Sequence, residues 1–142
     1  MKKLLIALLV CFAALGAQAQ AAQNLNGSHN VRDTVTNGGT TTWTSARVPT
    51  GNNVTIYVDV TKISGTVGGT ITFQGSFDLP SANKWKAINT VGTQTASATV
   101  TATDASNTYH VYLAGNPFPY YRVSWTGTGT MAASALVKLQ AR

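Results

Sequence analysis

Thr70-Ile71-Thr72-Phe73-Gln74-Gly75-Ser76-Phe77-Asp78-Leu79-Pro80-Ser81-Ala82-Asn83-Lys84-Trp85-Lys86-Ala87-Ile88 is the stretch whose reading decides the fold. Ile71, Phe73 and Phe77 fall on one side of a two-residue period. Thr70, Thr72, Gln74, Ser76 and Asp78 fall on the other. Successive strand side chains point to opposite faces, so this pattern predicts a strand with one dry and one wet side. Asp78 to Asn83 supplies Asp, Pro, Ser and Asn, the residues that reverse a backbone at little cost. Trp85 opens the return strand of a hairpin and is expected to be buried against Phe77 or Phe73.

The same alternation extends outward in both directions. Towards the N-terminus, Val54, Ile56, Val58 and Val60 are expected inward, with Thr55, Tyr57, Asp59 and Thr61 outward. Shorter strands are expected around Val31–Thr36 and Thr40–Val48, split by the turn signal Asn37-Gly38-Gly39, with Trp43 as the anchor of the second. Towards the C-terminus, Ala96, Ala98, Val100 and Ala102 form a small-residue inner face that leaves room for aromatic rings opposite. Tyr109, Val111 and Leu113 line the next strand, with His110 and Tyr112 outward. Tyr121, Val123 and Trp125 follow, then Met131, Ala133, Ala135, Val137 and Leu139. The mature chain carries no helical period. About nine short strands with turns every eight to twelve residues predict a single antiparallel β-sandwich, immunoglobulin-like or jelly-roll-like, over residues 31–142. A closed barrel is the rival architecture, since periodicity does not separate the two.

The N-terminus has the grammar of an export signal over residues 1–19. Lys2 and Lys3 precede the apolar run Leu4–Leu15, and Ala17-Gln18-Ala19 forms a small-residue cleavage site. The apolar run is too short to cross roughly 30 Å of hydrocarbon, so stable membrane insertion is not expected. Cys11 is the only cysteine, so cleavage leaves a chain without thiol or disulfide chemistry. Residues 20–30 are polar and aperiodic and are read as an arm or linker. Loss of Lys2 and Lys3 leaves eight basic side chains against four aspartates, a net charge of +4. The basic residues are scattered, whereas a nucleic-acid face needs a basic stripe. There is no glutamate, and there are 22 threonines, which keep strand exteriors polar without charge. The expected location is outside the cell or on its surface.

Acid–base chemistry has little material. Only Asp33, Asp59, Asp78 and Asp104 are available, and the turn settings of Asp78 and Asp104 suit backbone hydrogen bonding better than a carboxylate pair across a cleft. His29 falls in the arm and His110 on an outward face, with no nucleophile or carboxylate arranged beside either. Two distant histidines without cysteine do not make a zinc site. Calcium would have to use Asp78 with Asn83, or Asp104 with Asn107, at one carboxylate per loop. The sequence therefore predicts a protein that is not an enzyme and holds no metal or cofactor.

Two stretches carry a resemblance. One is Gln74-Gly75-Ser76-Phe77-Asp78, with Trp85 seven residues on; the other is Tyr120-Tyr121-Arg122-Val123-Ser124-Trp125-Thr126-Gly127-Thr128-Gly129-Thr130. Together they resemble small β-sandwich modules of phage virion proteins and bacterial surface proteins, over about Val54 to Leu139. Leu79-Pro80 departs from that pattern, where a glycine usually follows the aspartate. The resemblance implies a structural or adhesive accessory domain at a cell or virion surface, and the export signal favours the secreted form. One constellation stands out beside it: Asn116-Pro117-Phe118-Pro119-Tyr120-Tyr121-Arg122, a proline-stiffened loop with three aromatics and an arginine. Core closure alone can demand Phe118 and Tyr121. A binding role would use Phe118, Tyr120 and Arg122, with Trp85 or Tyr112, to hold a glycan or a surface protein, since Tyr and Arg dominate interface energetics. The two functions in competition are a structural or adhesive module, self-association included, and a carbohydrate-binding module.

Overall fold

A computed structural model describes residues 22–27, 31–88, 90–91, 94–95, 99–115 and 117–142. The expected export signal, His29, Asn116 and the inward Ala96 and Ala98 lie outside the described residues. Twelve strands occur among those described: β1 (Gln23–Asn24), β2 (Asp33–Thr36), β3 (Thr40–Thr44), β4 (Val54–Ser64), β5 (Gly69–Ser76), β6 (Lys86–Ala87), β7 (Thr90–Val91), β8 (Gln94–Thr95), β9 (Thr99–Thr101), β10 (Asn107–Leu113), β11 (Tyr120–Gly127) and β12 (Ala132–Ala141). A single 3₁₀ turn, Pro80–Ala82, interrupts them.

The strands form two five-stranded antiparallel sheets packed face to face, with β7 and β8 as a separate two-residue ladder. The first sheet runs β10–β4–β12, and β1 and β2 share the far edge of β12. The second runs β3–β11–β5, and β6 and β9 share the far edge of β5. This is a sandwich and not a closed barrel. Within the stretch expected to be a loose arm, Gln23 and Asn24 pair with Leu139 and Lys138, and Leu25 is buried. Asn26 then continues the ladder with its side chain. Its Oδ1 accepts from Val137 N–H at 2.7 Å, and its Nδ2 donates to Ala135 O at 3.2 Å.

The core lies between the sheets and follows the alternation. Val54, Ile56, Val58 and Val60 of β4, Tyr109, Val111 and Leu113 of β10, and Ala133, Ala135, Val137 and Leu139 of β12 face Ile71 and Phe73 of β5 and Tyr121, Val123 and Trp125 of β11. β-Branched residues dominate β4 because they fit a pleated surface. The alanines of β12 make room for the rings across the core. Near its end β4 skips a residue against β12, pairing Lys62 with Ala133 and Ser64 with Ala132, and the bulged Ile63 turns out to solvent. Leu136 is buried although it points outward. Its register partner Asp59 bonds Arg32 from the opposite side of β12, so this ion pair lies across it.

Two expectations fail at the central hairpin. Phe77 is 68% exposed and not in the core. The strand ends at Ser76, whose Oγ accepts from Asp78 N–H at 3.2 Å, and this local turn breaks the two-residue period before Phe77. Trp85 is only half-buried and lies outside the sandwich. The return strand pairs Lys86 with Gly75 and Ala87 with Gln74; continuing that register sets Trp85 level with Ser76, on the outer face. The dry side of Gly75 is filled from elsewhere, by the ring of Phe118.

Candidate functional site

The residues singled out in the sequence fall in three places. Phe118 packs in the mouth of the sandwich, 4.9 Å from the Phe77 ring and edge-on to Tyr121 at 6.2 Å. Tyr121 is fully buried, and burial raises its hydroxyl well above the ordinary tyrosine value. Its backbone is gripped by Ser45: Tyr121 N–H donates to Ser45 Oγ and Ser45 N–H to Tyr121 O, each at 2.9 Å. Phe118 and Tyr121 thus close the end of the fold.

Tyr120 and Arg122 project from β11 on the outer face of the second sheet. Arg122 Nε donates to Gln74 Oε1 at 2.8 Å and Nη1 to Asn83 Oδ1 at 3.3 Å, while its guanidinium lies 4.6 Å from the centre of the Trp85 ring. Asn83 reaches that position through a left-handed backbone (φ 51°), the only positive φ outside glycine among the described residues. Asparagine tolerates this conformation, and its N–H caps the 3₁₀ turn on Pro80 O at 3.2 Å.

Tyr112 lies on the other side of the molecule, on the outer face of the first sheet. There Tyr112, Thr55 and Gln140 form one cross-strand row, and His110, Tyr57 and Lys138 the next. Tyr57 and Tyr112 are therefore diagonal neighbours on β4 and β10, and they are 37% and 45% exposed. With Asn53, Thr55, Gln140 and Arg142 they line a depression of about 270 Å3. Its rim is held from behind. Asn53 and Arg142 exchange backbone hydrogen bonds at 2.7 and 2.8 Å, and Asn53 Oδ1 accepts from Gly115 N–H at 3.2 Å. With its amide turned to accept, Gln140 takes Arg142 Nη2 at 3.1 Å and Nε at 3.2 Å. His110 supports Tyr57, their ring centres 6.1 Å apart.

Sequence reasoning named Tyr112 but missed Tyr57, Asn53, Gln140 and Arg142 as its neighbours. Outward alternation placed Tyr57 correctly, but only the β4–β10 and β4–β12 registers bring these residues together. Chemically the depression offers two phenol rings, two amides, a hydroxyl and a guanidinium on paired strands. Rings accept the C–H face of a pyranose, and the polar groups match its hydroxyls. Strand placement keeps the ordering cost on binding low.

All four carboxylates are engaged. Asp33 Oδ2 accepts from the Trp43 indole at 2.5 Å and from Asn26 Nδ2 at 2.6 Å. Asp59 pairs with Arg32, Asp78 with Lys84 and Asp104 with Lys62. Asp104 also accepts from Val67 N–H at 2.8 Å, tying two loops together where the sequence suggested a bond to its own turn. The Lys62 hydrogen bond, then the Val67 N–H, hold its pKa below the usual carboxylate value. Asn83, weighed beside Asp78 as a calcium ligand, spends its oxygen on Arg122.

No family model matches the chain, and no curated protein matches it. Solved structures do. PirA is similar at 17% identity and a TM-score of 0.46, over 82% of this chain and 100% of that one. A CBM4 structure is similar at 15% identity and a TM-score of 0.46, over 91% and 83%. The enzymatically active domain of bacteriophage CBA120 tailspike protein 4 is similar at 10% identity and a TM-score of 0.45, over 88% of this chain and 20% of that one.

Proposed function

We propose that this chain is a secreted, non-enzymatic β-sandwich that attaches to saccharide at a cell or particle surface through the outer face of its first sheet. The observation that carries this reading is the pair Tyr57 and Tyr112, two exposed rings side by side over a polar depression whose lining is already hydrogen-bonded in place. Aromatic rings exposed on a rigid sheet beside convergent polar groups suit a ligand with both C–H and O–H faces. The engagement of all four carboxylates in ion pairs and indole or amide contacts supports the absence of acid–base catalysis. Lys2, Lys3, the apolar run and Ala17-Gln18-Ala19 support export.

The experiment is a glycan array and a pull-down on insoluble polysaccharides, with the wild-type chain and Tyr57→Ala and Tyr112→Ala variants. Retention of the wild type on at least one saccharide is expected. Each substitution should weaken it about tenfold, as loss of an anchor does, with melting curves close to the wild type. Absence of any saccharide binding, or binding by both variants as tight as that of the wild type, overturns the reading.

A further inference from the structure

Arg122 is a cation prepared for a partner that the chain itself does not supply. Its guanidinium is fixed in plane and direction by Gln74 and Asn83 and rests on Trp85. Both acceptors are neutral amides. Every aspartate is engaged elsewhere, the chain has no glutamate, and among the described residues no carboxylate pairs with Arg122. A guanidinium carries five N–H donors, and the two bonds to Gln74 and Asn83 leave the rest of the fork available. Burial already draws its pKa below the ordinary arginine value, a cost that a bound anion offsets.

The surroundings define the ligand. Register places Tyr120 and Trp85 on either side of Ser76 on the same outer face, one strand away in each direction. Beyond Arg122 the sheet continues as two cross-strand rows of hydroxyls, Thr42–Ser124–Thr72–Thr99 and Thr40–Thr126–Thr70–Thr101. A protein partner needs an apolar centre to its interface, and these rows offer none. A polyhydroxylated chain finds hydroxyl partners along them. Lys84 stands exposed nearby, and without Lys2 and Lys3 of the export signal the net charge is +4. We propose that Arg122 and Trp85, flanked by Tyr120, form a second binding site on the outer face of the second sheet, selective for the carboxylate of an acidic saccharide such as a uronic-acid chain. Arginine suits that group because its fork matches two carboxylate oxygens at once.

Tryptophan fluorescence provides the test. Trp43 and Trp125 are buried and their indoles are bonded within the protein, to Asp33 and to Gly68 O, whereas Trp85 is half-exposed. The protein is titrated with tetragalacturonate and with its methyl ester, which keeps the ring and removes the charge. The acid is expected to change the emission and to bind at least about tenfold more tightly than the ester. Arg122→Gln should abolish that preference and Arg122→Lys should keep part of it. Thermal melts of each variant confirm folding, and the Lys variant carries the comparison if the Gln variant melts early. Equal binding of acid and ester, an unchanged preference in folded Arg122→Gln and Arg122→Lys, or no binding of the acid overturns the proposal.

Discussion

The ring of Phe118 lies against the backbone of Gly75, so close that a methyl group there would sit 2.4 Å from its Cδ2. Glycine is required because the ring closes the end of the sandwich at that point. Gly75→Ala is expected to destabilise the fold by about 1–3 kcal/mol, the usual cost of overpacking. Chemical denaturation should show that Gly75→Ala costs less in a Phe118→Ala background than in the wild type. Equal costs in both backgrounds would mean that the two residues do not meet.

Two of the tryptophans that the sequence placed inward should behave differently. Trp125 is fully buried on β11, so Trp125→Ala is expected to cost about 3–5 kcal/mol. Trp85 covers the outside of the sheet, and Trp85→Ala should cost clearly less, about 1 kcal/mol. Denaturant midpoints at a constant m-value decide the order.

Asp33 serves Trp43. Asp33→Ala leaves a buried indole N–H without its acceptor and should cost about 1–3 kcal/mol. Replacing the donor as well, in Asp33→Ala with Trp43→Phe, should cost less than the sum of the two single substitutions. Strict additivity in denaturation experiments would refute the coupling.

Asp104 gives the fold a dependence on acid. Its native pKa is depressed by Lys62 and the Val67 N–H, so its contribution is complete above the ordinary value of 3.8 and disappears as pH falls through the lower native value. Asp104→Asn should therefore be less stable than the wild type at pH 7, with the gap closing as pH falls below the ordinary value of 3.8. A gap that persists unchanged in acid would show that the carboxylate's charge is not the source.

Most of the sandwich was legible in the sequence wherever a strand buries one face and wets the other. Val54 to Val60, Tyr121 to Trp125 and Ala133 to Leu139 point as their alternation says, because a one-residue slip would expose a whole set of apolar side chains. Phe77 and Trp85 were misread because the alternation was carried past the point where Ser76 and Asp78 turn the chain. The proposed binding face was legible only as single outward residues. Tyr57 and Tyr112 are separated by 55 positions and become neighbours through the pairing of β4 with β10, which periodicity does not encode. Gln140 joins them through β12, and Asn83 reaches Arg122 through one left-handed turn residue.

The strand at the centre of the first sheet, Ala132–Ala141, is also the last of the described strands. It pairs with β4 on one edge and with β1 and β2 on the other, joining Gln23 to Leu139. The first sheet cannot assemble until this strand has been synthesised. Pairings this distant in sequence slow folding, because loop closure must precede any gain from contact. During synthesis the emerging chain holds β4 and β10 without the strand that completes their sheet. The same arrangement that buries β12 leaves the first sheet incomplete in the nascent chain until β12 has emerged.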